Sequence, residues 1–201
     1  MRKGLAGILF TSAAVASAAA LWAGPASADT TASLSYPVSG STWINAIHTS
    51  IPLGPGTLAA TADLTTSTIT GSVSLPAATA SFKELGLVPV TATTEFIESG
   101  STTGTLESNG GIQATANITL KLTSLKVAGI PLPVGNSCET ATPATIPLAS
   151  QPGFNALTGG TVSGTYTIPR FTHCLLATAL INLTLPGPDN TITLTLGTPT
   201  G

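Results

Sequence analysis

The 201-residue chain is 42% hydrophobic but only 7% charged, with a formal net charge of −2. Beyond residue 3 its basic residues are Lys83, Lys121, Lys126 and Arg170, scattered along the chain and outnumbered by Asp and Glu. That excludes a nucleic-acid surface or a polybasic membrane patch, since both need grouped Lys and Arg, while the length suffices for one domain with a substantial core.

The N-terminus has the order of an export signal. Arg2 and Lys3 precede an apolar, alanine-rich run from Leu5 to Leu21, and Ala26-Ser27-Ala28 supplies an A-x-A cleavage pattern. This predicts a secretory signal peptide over residues 1–28, cleaved before Asp29, and a single all-β domain over residues 29–201. The run is short and rich in small residues beside the roughly 20 strongly apolar residues of a membrane span. No stable membrane anchor is therefore expected after cleavage, and the expected location is secreted, extracellular or associated with the cell envelope.

Beyond the signal, Thr and Ser fill the polar positions that Lys and Glu occupy in most proteins. Val, Ile, Leu and Ala fill the alternating positions, and Pro and Gly punctuate the runs. β-Branched Thr suits a pleated surface. The pattern predicts an all-β fold, an antiparallel β-sandwich or partly closed barrel.

In chain order, residues 32–51 read as two shorter strands around Pro37 to Ser41. Leu58, Ala60, Ala62 and Leu64 then alternate with polar residues, and after Thr65-Thr66-Ser67 so do Ile69, Gly71, Val73 and Leu75, which makes an antiparallel hairpin ended by Pro76. Val90, Ala92, Thr94 and Phe96 share one face of the next strand. A turn at Ser99-Gly100-Ser101, a short strand from Thr102 to Leu106 and a turn at Ser108 to Gly111 follow.

From Ile112 to Leu122 the even positions are apolar. After Ser124 the apolar residues are Leu125 and Val127, so the phase changes, and a bulge or corner is expected at Thr123 to Leu125. Gly129 to Gly135 reads as a stiff, extended crossover. Thr140 to Leu148 and Thr161 to Ile168 read as strands. Cys174 to Leu185 fits a helical turn followed by a strand, Pro186 to Asn190 a turn, and Thr191 to Leu196 a closing strand with Ile192, Leu194 and Leu196 inward.

Cys138 and Cys174 allow one pairing, and export makes a disulfide the expected state. Closing that loop stabilises the fold by on the order of 3–4 kcal/mol. His173 beside Cys174 does not complete a four-ligand zinc set.

The stretches GPGTLAATADLTTSTITGSVSLP, LGLVPVTATTEF, LTSLKVAGIPLPVGNSC and GTVSGTYTIP resemble a group of secreted β-rich proteins of actinobacteria to which no activity is assigned. The resemblance implies export and a bacterial host of that class, and it implies no site.

Catalytic patterns are weak. No G-x-S-x-G elbow occurs; Gly100-Ser101-Thr102-Thr103-Gly104 has the glycine spacing with Thr at the centre, between a turn and a strand rather than a strand and a helix. His48 and His173 have no triad spacing to Asp63 or Asp189. Glu95 and Glu98 fall on opposite sides of a strand, and Glu84 and Glu107 lie near turns, so no carboxylate pair is indicated. No metal-ligand spacing is present, and no catalytic, cofactor or metal residue is assigned. Tyr36, Trp43, Phe82, Phe96, Phe154, Tyr166 and Phe171 form no row of the kind that carbohydrate surfaces show.

The small inward residues Ala60, Ala62, Gly71, Ala92, Ala114 and Ala116 leave two readings: large facing residues fill the interior, or a cavity remains. The leading expectation is a non-enzymatic exported β-domain with a binding or structural role, its partner an apolar small molecule or a cell-envelope component. The alternatives are a membrane-associated β-barrel or pore subunit, suggested by alternating strands of about ten residues, and a hydrolase with an unrecognised site.

Overall fold

A computed structural model describes residues 30–84 and 86–201; the predicted signal peptide and its cleavage site lie outside them. Period-2 patterning forms strands almost throughout: β1 (Thr31–Ile44), β2 (Thr49–Asp63), β3 (Thr68–Ser74), β4 (Ala78–Glu84), β5 (Val88–Glu98), β6 (Thr102–Leu106), β7 (Ile112–Val127), β8 (Ile130–Pro131), β9 (Glu139–Thr140), β10 (Ala144–Ser150), β11 (Gly160–Ile168), β12 (Phe171–Thr172) and β13 (Gly187–Leu196). One short helix, α1 (Thr178–Thr184), follows a 3₁₀ turn at Leu175–Ala177.

Hydrogen bonding runs antiparallel in the circuit β1, β2, β3, β6, β7, β10, β11, β13 and back to β1, which closes an eight-stranded barrel. Of the two architectures expected, the barrel is therefore the one adopted. The closing contact is the pairing of β7 with β10, from Ala144↔Ile118 to Ala149↔Gln113.

Inward-facing glycines let neighbouring strand backbones approach closely. A Cβ at Gly164 would overlap the Pro147 carbonyl oxygen, and one at Gly40 would overlap that of Thr193. Glycine in a strand marks such a close approach because only it admits the neighbouring backbone.

Strand β7 outlasts the barrel. Its first half pairs with β6 and β10, and its second half carries β5, which in turn carries β4. β5 and β6 lie end to end along the same side of β7, separated by Ser99 to Ser101. Glu98 spans that gap. Its carboxylate accepts from Ser72 Oγ at 2.7 Å, the Val73 N–H at 3.1 Å, and the Thr102 N–H and Oγ1 at 3.2 and 2.9 Å. It thus satisfies ladder donors that no strand reaches. Glu98→Ala is expected to lower stability by about 2–3 kcal/mol, because charged acceptors are worth more and part-buried donors are left unpaired. A urea titration of both proteins checks this.

The expected phase slip is present. Thr93 pairs with Ser124 and Thr94 with Leu122, so Thr123 is the extra residue of a bulge on β7. The slip returns Leu125 to the interior, where it is buried like Leu122.

Five expectations need correction. Thr140 to Leu148 is not one strand: β9 ends at Thr140 and β10 begins at Ala144. Residues 32–51 do not hold two strands around Pro37 to Ser41. β1 runs unbroken through that segment, and the irregularity there is a bulge on β2, where Gly54 and Pro55 together oppose the single residue Ser39. Pro186 to Asn190 is not a turn, because β13 begins at Gly187 and pairs with Ile168, with a register shift by Tyr166. Residues 178–184 are helical, not strand, because Ala177 and Ile181, four apart, share the buried face. The Gly129–Gly135 segment is a crossover only in its second half: Ala128 and Gly129 make a tight turn that folds Ile130 back on Val127.

The disulfide forms between Cys138 and Cys174, 36 residues apart and both fully buried. It ties the segment after β8 to the start of the 3₁₀ turn. α1 and these connections cover the barrel end opposite the β2–β3 turn.

Candidate functional site

Along the barrel strands, side chains alternate without mixing. Val38, Ile118, Leu120, Val162, Ile192 and Leu194 point inward and are buried, while the positions between them are mainly Thr and Ser and face out. The interior is apolar, and the few polar groups within it are spent on each other. The Thr42 and Tyr166 hydroxyls lie 2.8 Å apart, and Thr42 Oγ1 also donates to the Thr191 carbonyl at 2.9 Å. Tyr36 Oη donates to the Ala156 carbonyl at 2.6 Å. Among the described residues no buried side-chain N or O lacks a partner. Burial pushes the Tyr166 phenol above its ordinary pKa, partly offset by the Thr42 hydrogen bond, and raises that of Tyr36 as well.

The interior is not filled evenly. At the end formed by the β2–β3 turn, the β6–β7 turn and the loop from Gln151 to Gly159, a cavity of about 370 Å³ remains. Small residues, Ala32, Ala60, Ala62 and Gly71 on the adjacent strands β1 to β3 and Ala114 on β7, share its wall with Leu34, Tyr36, Ile69 and Leu106, and Phe154 and Ala156 come from the loop. Leu58, Ile112 and Leu196 form its floor and also line a narrower void of about 90 Å³ in mid-barrel. Four of the small residues singled out from the sequence, Ala60, Ala62, Gly71 and Ala114, line the mouth cavity. Ala116 lines the mid-barrel void, and Ala92 faces spaces under α1 instead.

Sequence reasoning missed the contributions of Leu34 and Tyr36, hidden by the misread β1, and of the loop residues Phe154 and Ala156. The apolar Phe154 and Leu157 around Asn155 were the available signal, but their distance in sequence from Ala60 concealed the contact.

A second apolar space of about 230 Å³ lies between α1 and the β5–β7 extension, lined by Val90, Leu125, Leu180 and Ile181. Leu176 and Leu183 on the outer side of this helical segment are 93% and 85% exposed.

Residues weighed for chemistry do not converge. His48 sits in the β1–β2 turn, exposed, with its ring edge-on to Trp43 at 6.3 Å. His173 is exposed beside the disulfide, 3.0 Å from Thr172 Oγ1. Asp63 lies at the opposite end, where its Oδ1 accepts from the Thr65 and Thr66 N–H groups. Those bonds hold its carboxyl below the ordinary pKa. Glu95 is 3.5 Å from Lys121, and Glu98 is the latch described above. The segment from Gly100 to Gly104 runs from a bend into β6, with no helix behind it. Among the described residues no group of His, Cys, Asp or Glu could hold a metal ion, and no helix is long and apolar enough to cross a membrane.

Fold and cavity together define a closed antiparallel β-barrel with an apolar lumen widened at one end, a form able to hold one small ligand. No family model matches the chain, and neither the curated proteins nor the solved structures offer a similar one.

Proposed function

We propose that the protein is a non-catalytic exported β-barrel that binds an apolar small molecule in its lumen and acts outside the cytoplasm or at the cell envelope. The mouth cavity carries this reading. Its volume lies in the range of small-ligand sites, and its wall of Ala and Gly leaves space where Leu or Phe would pack. An apolar space of this kind excludes ordered water and gains from an apolar guest. Export rests on Arg2, Lys3, the apolar run and Ala26-Ser27-Ala28, and the disulfide suits that compartment. The resemblance to secreted actinobacterial proteins points the same way.

The pore alternative requires an apolar outer belt and a polar interior. The distribution of Thr and Ser outside and Leu, Ile and Val inside is the reverse, and counts against it. Among the described residues neither histidine has a carboxylate within ion-pair distance, which counts against the hydrolase alternative.

Ala60→Trp places an indole in the cavity. It is expected to leave stability within about 1 kcal/mol, because the space is already present, and to weaken binding of a neutral fluorophore such as N-phenylnaphthylamine at least tenfold. A fluorescence titration with parallel thermal melts decides this. Unchanged affinity in a folded variant would remove the lumen from consideration.

A further inference from the structure

We infer that the lumen selects a single-chain ligand carrying a hydroxyl part-way along its chain over the corresponding ketone or ester, with Thr102 as the accepting residue; this deepens the luminal reading above and rests on it. Thr102, Leu58, Ile112 and Leu196 line both the mouth cavity and the mid-barrel void, so the two spaces adjoin there. The void of about 90 Å³ beyond that neck accepts a few methylenes and no fused ring. A chain that enters it therefore carries its middle past Thr102.

Hydrogen-bond directions around the lumen all run the same way. The hydroxyls that line the two spaces are those of Tyr36, Thr42, Thr102 and Tyr166, and a hydroxyl has a single proton to give. Tyr36 gives its proton to the Ala156 carbonyl at 2.6 Å, and Thr102 gives its own to the Glu98 carboxylate at 2.9 Å. Thr42 donates to the Thr191 carbonyl at 2.9 Å, so in the 2.8 Å contact between Thr42 and Tyr166 the phenol is the donor. Each of these protons is thereby committed within the wall, while every one of the oxygens keeps a lone pair. The backbone N–H groups of the wall lie in the plane of the sheet and point along its ladders. Asn155 at the rim is exposed, so water serves its amide.

These two spaces thus accept hydrogen bonds and offer none. A chain hydroxyl donates to Thr102 Oγ1 and recovers a bond it had with water. A ketone or ester oxygen finds no donor there and loses its water uncompensated. In a lumen without such acceptors the order reverses. An alcohol entering hydrocarbon gives up both donated and accepted bonds, whereas a ketone gives up accepted ones alone.

The test is displacement of N-phenylnaphthylamine by undecan-6-ol and undecan-6-one. Each carries its oxygen on the middle carbon, so burying the chain in either orientation buries the oxygen. The alcohol is expected to compete about tenfold better, the worth of one buried hydrogen bond. Thr102→Val keeps the side-chain shape and the backbone N–H that Glu98 holds, and it should abolish that preference. Thr42→Val removes the acceptor of the Tyr166 proton; the phenol then donates into the void, and competition by the ketone should improve severalfold. Circular dichroism checks both folds. Equal or better displacement by the ketone in the unaltered protein, an alcohol preference that survives in folded Thr102→Val, or no gain by the ketone in folded Thr42→Val each overturns the selectivity while leaving the lumen as the site. Failure of the fluorophore to bind at all overturns both readings.

Discussion

Replacing Gly164 by Val should be the most damaging single substitution in the barrel, costing about 3–5 kcal/mol or preventing folding. Gly164 lies between the inward-facing Val162 and Tyr166, beside the β10 backbone. The first side-chain carbon would overlap the Pro147 carbonyl oxygen and crowd its carbonyl carbon. Those are backbone atoms of a strand that also pairs with β7, so they cannot retreat without breaking the closing ladder. Even Gly164→Ala should cost several kcal/mol. Gly100→Ala is the control: Gly100 has positive φ with open space around it, so only the backbone penalty of about 1–2 kcal/mol is expected. Chemical denaturation of the three variants separates steric closure from glycine's conformational freedom.

Removing the disulfide should rank next. Cys138→Ser/Cys174→Ser opens a loop of 36 residues, and the chain-entropy relation gives a loss of about 4 kcal/mol. Both sulfurs are fully buried, so the two hydroxyls add a further burial cost that Cys→Ala in place of Cys→Ser would reduce. The location matters as much as the size. The bond joins the segment after β8 to the turn before α1, at the end away from the mouth cavity. A variant that still folds should exchange amide hydrogens faster around α1 and β12 while keeping its luminal affinity. Loss of luminal affinity in a folded variant would mean that the two ends are coupled through the barrel.

Local features were legible in the sequence and paired features were not. The limits of β6, the facing of β5 and the bulge at Thr123 depend on alternation within one strand, which the residue types display directly. The path of β1 depends on its partners. It passes Ser39 without a break because β2 takes up the mismatch, bulging at Gly54 and Pro55 opposite it, and nothing in Pro37 to Ser41 announces that. At Gly187 to Asn190, turn-forming composition yields to pairing with β11. There Asn190 is buried, receives the Asn45 N–H on its side-chain oxygen and donates to the Tyr166 and Gly187 carbonyls. Barrel closure required knowing that β7 meets β10, a long-range pairing that periodicity cannot supply.

The candidate site was half visible. Inward Ala60, Ala62, Gly71 and Ala114 suggested either a cavity or large residues opposite them. Only the assembled barrel brings these residues together around one space at the mouth, which the larger lining side chains such as Leu34, Ile69 and Phe154 leave partly open. The disulfide, by contrast, followed from the expected export together with the count, because two cysteines admit one pairing.

The central claim is that an apolar ligand enters the widened end of the barrel. It is tested most directly by methyl-resolved NMR of the Leu- and Ile-labelled protein titrated with dodecanol. The account predicts saturable shifts at Leu34, Leu58, Ile69, Leu106 and Ile112, and affinity rising about fourfold per added methylene until the floor is reached. Shifts confined to Leu176, Leu180 and Leu183 on the helical segment, or none at all as the ligand is raised to its solubility limit, would contradict it.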